Sequence, residues 1–178
     1  MSEGWLLPGA ERDPQTITAE WHPLRERLIE GVRIREVRSV PKGNGLLTEL
    51  YRRDWGLDAL PVDQVFEVRL VPGGLSAWHA HERATDRLFV SCGLARIVLF
   101  DSRPDSPTRG LVNELKFGEH RPALVVIPPQ VWHGVQNLGA DTAQVFNIVD
   151  RAYDYESPDH WRVPSDSPHI PYQFTIRR

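Results

Sequence analysis

The sequence has little of what marks several large classes of protein. A single cysteine, Cys92, among 178 residues excludes an internal disulfide and a thiolate metal cluster. The longest apolar run is the short stretch Ala123 to Ile127, whereas a helix that crosses a bilayer needs about 18 apolar residues. The stretch from Met1 to Gln15 has neither a basic nor an apolar region and so does not resemble a secretory signal. These observations predict a cytoplasmic protein with no membrane partner.

An excess of basic charge is also absent. The chain has 21 Lys and Arg residues against 24 Asp and Glu residues, and its formal net charge is −3. Proteins that bind nucleic acids place clustered Lys and Arg against the phosphate backbone, and no such cluster is present. The sequence therefore predicts no nucleic-acid partner and leaves a small molecule as the expected ligand.

Short apolar stretches, separated by 15 prolines and 13 glycines, make up most of the chain. Val32 to Val37 and Gln64 to Val71 alternate between apolar and polar residues, which is typical of strands with one wet face. The same criteria predict strands at 32–37, 46–51, 64–71, 75–81, 87–92, 95–100, 111–117, 123–127, 131–136 and 142–150. About ten strands with almost no helix predict an all-β double-stranded β-helix, or jelly roll, at 31–155. Residues 1–30 are interpreted as an extension and 156–178 as a proline-rich coil.

Two histidines form the first candidate site. His79 and His81 stand two apart in a predicted strand, so their side chains project from the same face. Asp86 opens the next strand and can lie beside them. A carboxylate next to two imidazoles can complete a metal site or orient a general base. The alternative is that both histidines lie on a solvated face and have no role.

The spacing of residues around this pair resembles the first motif of the cupin superfamily. Gly73, His79, His81, Asp86 and Gly93 follow one another at the intervals of that motif, with Asp86 in place of the usual glutamate.

A second stretch resembles the second cupin motif. It contains Pro128, Gln130, His133 and Asn137, with Gln130 where a glycine is usual. In cupins the histidines and the carboxylate of the two motifs commonly meet at one metal. The resemblance implies that the corresponding ligands here are His79, His81, Asp86 and His133. Such a set suits Fe(II), Mn(II), Ni(II), Cu(II) or Zn(II), and the spacing does not choose among them.

A narrower resemblance extends from about Gly31 to Phe174. Residues 45–51 (GLLTELY), 101–108 (DSRPDSPT) and 127–134 (IPPQVWHG) are similar to segments of the dTDP-sugar isomerase family, typified by dTDP-4-dehydrorhamnose 3,5-epimerase. The resemblance implies a homodimer that acts on a sugar or nucleotide sugar. It also implies that further residues contact the substrate, namely Glu49, Gln64, Arg87, His133 and Asn147.

The mechanism implied is proton transfer next to a carbonyl group. His79 would be the base, and His81 or Asp86 would hold its tautomer. Arg87 or His133 would stabilise the enolate oxygen. Imidazole suits this chemistry because its unperturbed pKa of about 6.5 allows it to take and return a proton near neutral pH.

The chain also departs from that family. Ser76 and Asn44 stand where the family has arginines that bind the nucleotide phosphates, and Asn147 falls on the position of its acid tyrosine. These losses predict weak binding of a dTDP sugar. They leave two alternatives open: a metal-dependent cupin that acts on another small polar molecule, and a ligand-binding cupin without catalysis.

The remaining candidates receive simpler interpretations. His120, His160 and His169 lie in loop-like or proline-rich stretches and are predicted to be solvated. Trp78 and Trp132 each precede a site histidine, so they would point to the opposite face of a strand, into the core or a dimer interface.

Overall fold

The structure, a computed structural model, describes residues 4–19, 24 and 27–175. Within these residues the chain is almost entirely β, with one turn of 3-10 helix at Arg53–Trp55. The strands are β1 (Arg33–Glu36), β2 (Val40–Lys42), β3 (Gly45–Leu47), β4 (Gln64–Leu70), β5 (Leu75–Ala80), β6 (Asp86–Cys92), β7 (Leu94–Asp101), β8 (Val112–Gly118), β9 (Ala123–Ile127), β10 (Val131–Asn137), β11 (Ala143–Val149) and β12 (Trp161–Arg162). None of the described helical segments is long or apolar enough to span a membrane.

The strands form two antiparallel sheets that face each other. One sheet has the order β1-β9-β6-β11-β4 and the other has the order β12-β5-β10-β7-β8, while β2 and β3 form a separate hairpin. This arrangement confirms the predicted jelly roll. All ten predicted strands are present, although β3 is much shorter than the predicted 46–51. The pattern missed β2 and β12, because strands of two or three residues are too short to show alternation.

Apolar side chains from both sheets pack into one core. Ile97, Leu99 and Val125 are fully buried between the sheets. Some members of the same cluster also form the apolar floor of a cavity, namely Leu70, Leu88, Val135 and Val145. The core therefore supports the cavity directly.

The C-terminal segment, predicted to be coil, forms an additional layer outside the second sheet. Strand β12 pairs with β5, and Tyr172 and Phe174 pack against Trp78 at ring-centroid distances of 6.1 and 5.0 Å. Trp78 is completely buried, which confirms its prediction as a core residue. Burying a tryptophan contributes about 5 kcal/mol of hydrophobic free energy. The segment is thereby held against β5, the strand that carries His79.

The packed structure also begins slightly before the predicted boundary at residue 31. Ile29 is buried, and its backbone N–H donates to the Asn113 side-chain oxygen at 2.9 Å. The backbone N–H of Glu30 donates to the Thr108 hydroxyl at 2.8 Å. The parts of the predicted extension and tail at 1–3, 20–23, 25–26 and 176–178 lie outside the described residues.

Candidate active site

A cavity of about 580 Å³ opens between the two sheets, a size suited to a small molecule. Strands of both sheets supply its polar groups. His79 comes from β5, Asp86 from β6, Asn147 from β11 and Gln64 from β4. His81 follows the end of β5 and lines the same cavity.

The predicted convergence of three histidines is observed. The register of β10 and β5 places His133 opposite His79, with ring centroids 4.0 Å apart. The His81 ring lies 6.0 Å from that of His79 and 5.7 Å from that of His133. One ring nitrogen from each residue lies within 4.8 Å of the other two. Strand pairing therefore joins the two cupin-like motifs, whose paired histidines, His79 and His133, lie 54 residues apart in the sequence.

Asp86 connects two of these imidazoles. Its Oδ2 lies 2.9 Å from His133 Nε2 and 3.2 Å from His81 Nε2, and its Oδ1 accepts a hydrogen bond from Asn147 Nδ2 at 2.7 Å. Burial opposes ionisation of this carboxyl, but the hydrogen bonds from His133 and His81 outweigh it and hold the Asp86 pKa well below its ordinary value. Asp86 is therefore a carboxylate that faces two imidazoles across the sandwich.

The tautomers of the two imidazoles follow from their outer partners. His81 Nδ1 lies 2.5 Å from the Asp159 carbonyl oxygen, and His133 Nδ1 lies 3.0 Å from the Val131 carbonyl oxygen. Because a carbonyl can only accept, each Nδ1 carries a proton. Each contact from Nε2 to Asp86 is then a hydrogen bond only if that ring carries a second proton. This geometry requires positive charge between the two rings and the carboxylate, supplied either by protons on the Nε2 atoms or by a metal ion.

His79 and His81 differ in their electrostatic environments. Burial, followed by the nearby His133, lowers the pKa of His79 to about 2, so this ring is uncharged at neutral pH. Burial also opposes protonation of His81, but the Asp86 carboxylate and the Asp159 carbonyl outweigh it and raise the His81 pKa. The strand therefore presents a neutral imidazole beside one that favours its charged form.

His160 is a member of this cluster, so its interpretation as a solvated residue is wrong. Its ring centroid lies 4.9 Å from that of His81 and 5.4 Å from that of His79. Its Nε2 is buried without a hydrogen-bond partner, and burial lowers its pKa. The sequence carried no periodic signal for this placement, because β12 has only two residues.

Asp159 explains how the tail reaches the site. Its carboxylate accepts hydrogen bonds at 2.7–3.1 Å from the backbone N–H groups of the turn after β5, at Glu82, Arg83 and Ala84. Together with the pairing of Trp161 with Ala80, these bonds fix the residue between them, His160.

Gln64 and Asn147, both predicted to contact substrate, line the cavity. The Gln64 side-chain oxygen accepts a hydrogen bond from the Tyr153 backbone N–H at 3.0 Å. Asn147 donates to Asp86, and its oxygen accepts from the Arg87 backbone N–H at 3.2 Å. The Asn147 amide is thus occupied by the protein, and an amide is not a proton donor of the tyrosine type.

Arg87 does not face the cavity, and its interpretation as an oxyanion stabiliser is wrong. Its completely buried side chain lies on the opposite face of β6 from Asp86 and donates to both Asp58 carboxylate oxygens, at 2.8 and 2.7 Å. Leu60 and Ile148 supply carbonyl acceptors at 3.3 Å. Arg87 therefore fastens the loop before β4 to the outside of the first sheet.

Glu49 is also not among the cavity residues. It is half-exposed and forms an ion pair with Arg52 at 3.0 Å. His120 and His169 are exposed, as predicted.

Two antiparallel sheets around a cavity with clustered histidines and one buried carboxylate are the arrangement expected of a cupin fold. No family model matches the chain. It is 32% identical over 139 residues to the probable low-salt glycan biosynthesis epimerase Agl13 of Haloferax volcanii, covering 78% of this chain and 89% of that protein. It is 31% identical over 147 residues to the spore coat polysaccharide biosynthesis protein SpsL of Bacillus subtilis, covering 83% and 97%.

A solved structure gives the same result. The dTDP sugar isomerase from Desulfovibrio desulfuricans G20 superimposes with a TM-score of 0.76 at 29% identity, covering 82% of this chain and 91% of that one. The chain therefore belongs to the dTDP-4-dehydrorhamnose 3,5-epimerase-like family of sugar epimerases and isomerases, and the resemblance found in the sequence is confirmed. This membership favours the enzymatic interpretations over a ligand-binding cupin without catalysis.

Proposed function

We propose that the protein is a sugar epimerase or isomerase that moves a proton at a carbon next to a carbonyl group by imidazole acid–base chemistry. The observation that carries this proposal is the position of the His79 imidazole, which lines a cavity with its ring 6.0 Å from that of His81, the partner of Asp86. A hydrogen next to a ketone is acidic because its loss leaves an enolate. Catalysis then needs a base, a donor to the enolate oxygen and an acid that returns the proton.

The site supplies these roles without Arg87. His79 is uncharged and can accept the proton. The negative charge that develops on the enolate stabilises the protonated ring, and so offsets part of the lowering of the His79 pKa by burial. His81, whose pKa Asp86 and Asp159 raise against the opposing effect of burial, is a candidate donor next to His79, just beyond the end of β5. Asp86 orients both His81 and His133 through its Oδ2.

Solvent deuterium exchange tests the proposal. The protein is incubated in D2O with dTDP-4-keto-6-deoxyglucose or its UDP counterpart, and deuterium in the recovered sugar is measured by mass spectrometry. A general base contributes about 10²–10⁴-fold, so His79→Ala should reduce the exchange rate at least about 100-fold. His169→Ala, which changes an exposed histidine, is the matched control. Exchange no faster than without protein, or equal in His79→Ala, would contradict the proposal.

A second candidate is the metal-dependent enzyme that the cupin motifs imply. His79, His81 and His133 offer ring nitrogens within 4.8 Å of one another, and two of these rings donate Nδ1–H to backbone carbonyls, as metal-bound histidines do. These three imidazoles fit a divalent cation, and Asp86 lies next to two of them. Such a cation would polarise a substrate carbonyl as a Lewis acid.

We also infer that the protein is a homodimer. The hairpin β2–β3 exposes Val40, Leu46 and Leu47, and the edge strand β4 exposes Val65 and Phe66. A second copy that covers these apolar groups would remove them from water. Light scattering after size exclusion tests this, with a monomer as the contrary result.

A further inference from the structure

Among the residues that the structure describes, the three arginines that line the cavity have no protein acceptor. Arg83, Arg151 and Arg162 lie at its mouth with exposed side chains. In the described part of the chain, none of these three guanidinium groups makes a hydrogen bond, an ion pair or an aromatic contact. Arg87 and Arg103, in contrast, are each bound to a carboxylate at 2.7–2.8 Å. The mouth therefore presents three guanidinium groups without a hydrogen-bond partner, although the charge of Arg83 is close enough to Asp154 to contribute to its lowered pKa.

The carboxylates at the same mouth are hydrogen-bonded to backbone groups rather than to these arginines. Each of them accepts hydrogen bonds from backbone N–H groups at 2.7–3.1 Å, and these residues are Asp63, Asp150, Asp154 and Asp159. These bonds lower the pKa of Asp154, and in Asp159 they outweigh the opposing effect of burial to lower its pKa as well. An incoming anion thus competes with water rather than with an ion pair at the arginines. The negative charge of these carboxylates reduces the affinity of the arginines for an anion.

We propose that Arg83, Arg151 and Arg162 form an anion subsite that binds the phosphate groups of a sugar phosphate or sugar nucleotide whose sugar occupies the cavity. The placement of the sugar rests on the proposed function. A guanidinium presents a planar fork of donors that matches phosphate oxygens. Three such forks offer more donors than the two oxygens of one carboxylate can accept, whereas a diphosphate has enough oxygens for them.

This subsite changes the expectation drawn from the missing family arginines. Ser76 lines the cavity without a charge, and Asn44 lies exposed in the β2–β3 hairpin, outside the cavity. The positive charge is instead supplied from the turn after β5, from the segment after β11 and from β12. Weak phosphate binding no longer follows from the two replacements.

Calorimetric titration of the unmodified protein tests the subsite without turnover. The ligands are inorganic pyrophosphate, dTDP, UDP and glucose 1-phosphate, with thymidine and glucuronate as comparisons. We expect each single change to glutamine at the three arginines to weaken pyrophosphate binding about tenfold, and the triple change at least about 100-fold. Arg109→Gln, an exposed arginine outside the cavity, should have no effect. Because the side chains are exposed, unfolding temperatures should stay equal.

The ligand series separates the two phosphate sources. Tighter binding of dTDP or UDP than of pyrophosphate supports a sugar nucleotide, and equal binding of pyrophosphate and glucose 1-phosphate supports a sugar phosphate. Failure of every phosphate ligand to bind at millimolar concentration, equal binding by the triple variant, or arginine-dependent binding of glucuronate alone would overturn the proposal. His79→Ala should bind pyrophosphate like the unmodified protein, so loss of exchange with retained binding contradicts only the proposed function.

Discussion

Replacing Asp58 with alanine should destabilise the fold while leaving every cavity side chain in place. Arg87 is completely buried, and its only carboxylate partner in the described structure is Asp58, whose side chain is 16% exposed. Without Asp58, the guanidinium keeps carbonyl oxygens at 3.3 Å, such as those of Leu60 and Ile148, and the Tyr51 ring at 5.7 Å, but no carboxylate within ion-pair distance among the described residues. Removing one partner of a buried ion pair costs about 3–5 kcal/mol, because the other charge stays buried and uncompensated.

The partial exposure of Asp58 favours the lower end of that range, about 3 kcal/mol. In a chain of this length this lowers the unfolding temperature by roughly 6–12 °C. Hydrogen bonds from Arg87 lower the Asp58 pKa against the opposing effect of burial. A lowered carboxyl pKa stabilises the fold above the ordinary pKa of about 4, and this contribution is lost as the pH falls through the lower value. The difference between the two proteins should therefore shrink in acid.

Urea unfolding of Asp58→Ala, Arg87→Met and the double variant measures the coupling between the two residues. The double variant should be more stable than the sum of the single effects predicts, because it leaves no unpaired charge. A loss below about 0.5 kcal/mol in Asp58→Ala would refute the reasoning. If Arg87→Met abolished deuterium exchange while the protein remained folded, Arg87 would have to stabilise the enolate oxygen in the cavity after all.

Three further predictions concern other parts of the molecule. Burial opposes ionisation of Asp101, but bonds from Arg103 and two hydroxyl groups hold its pKa well below the ordinary value. The stability advantage over Asp101→Asn, measured by urea midpoints, should thus be full at pH 7 and should shrink progressively below about pH 4 as the pH falls toward the lowered pKa of Asp101; an equal difference at pH 7 and about pH 2 would contradict this. Because the buried Nε2 of His160 has no protein partner, His160→Ala should slow deuterium exchange about tenfold and His169→Ala should not, and equal effects would exclude a role at the site. If the acid–base function is correct, chelation should change neither exchange nor melting temperature, whereas metal detected by elemental analysis and released by His81→Ala would favour the second candidate.

The strands and the pair His79 and His81 could be predicted because their signals are local, whereas His133 was predicted from the resemblance to the second cupin motif. A two-residue period places His79 and His81 on one face whatever the rest of the chain does. The same two-residue period could also have excluded Arg87 from the cavity. Once Asp86 is assigned to the cavity, its neighbour in β6 must face outward. The sequence did not show which residue pairs with Arg87, because Asp58 lies in an irregular loop 29 residues earlier in the chain.

His160 and Arg162 could not be predicted in this way. Their positions depend on a two-residue strand and on side-chain bonds to backbone groups more than 70 residues away. Such contacts leave no periodic trace in the sequence. A proline-rich composition correctly indicates irregular structure, but it does not indicate what that structure packs against.

Strand β5 makes the stability of the fold and the geometry of the site depend on the same contacts. Its alternation sends Trp78 outward and His79 into the cavity. The C-terminal segment contacts both the outer face and the edge of this strand, because Tyr172 and Phe174 cover Trp78 while β12 pairs beside His79. The hydrophobic free energy of the outer layer therefore holds His160 against the imidazole cluster. It offsets the conformational entropy that a free tail would lose on becoming ordered. The tail is accordingly a structural part of the site rather than an appendage to the jelly roll.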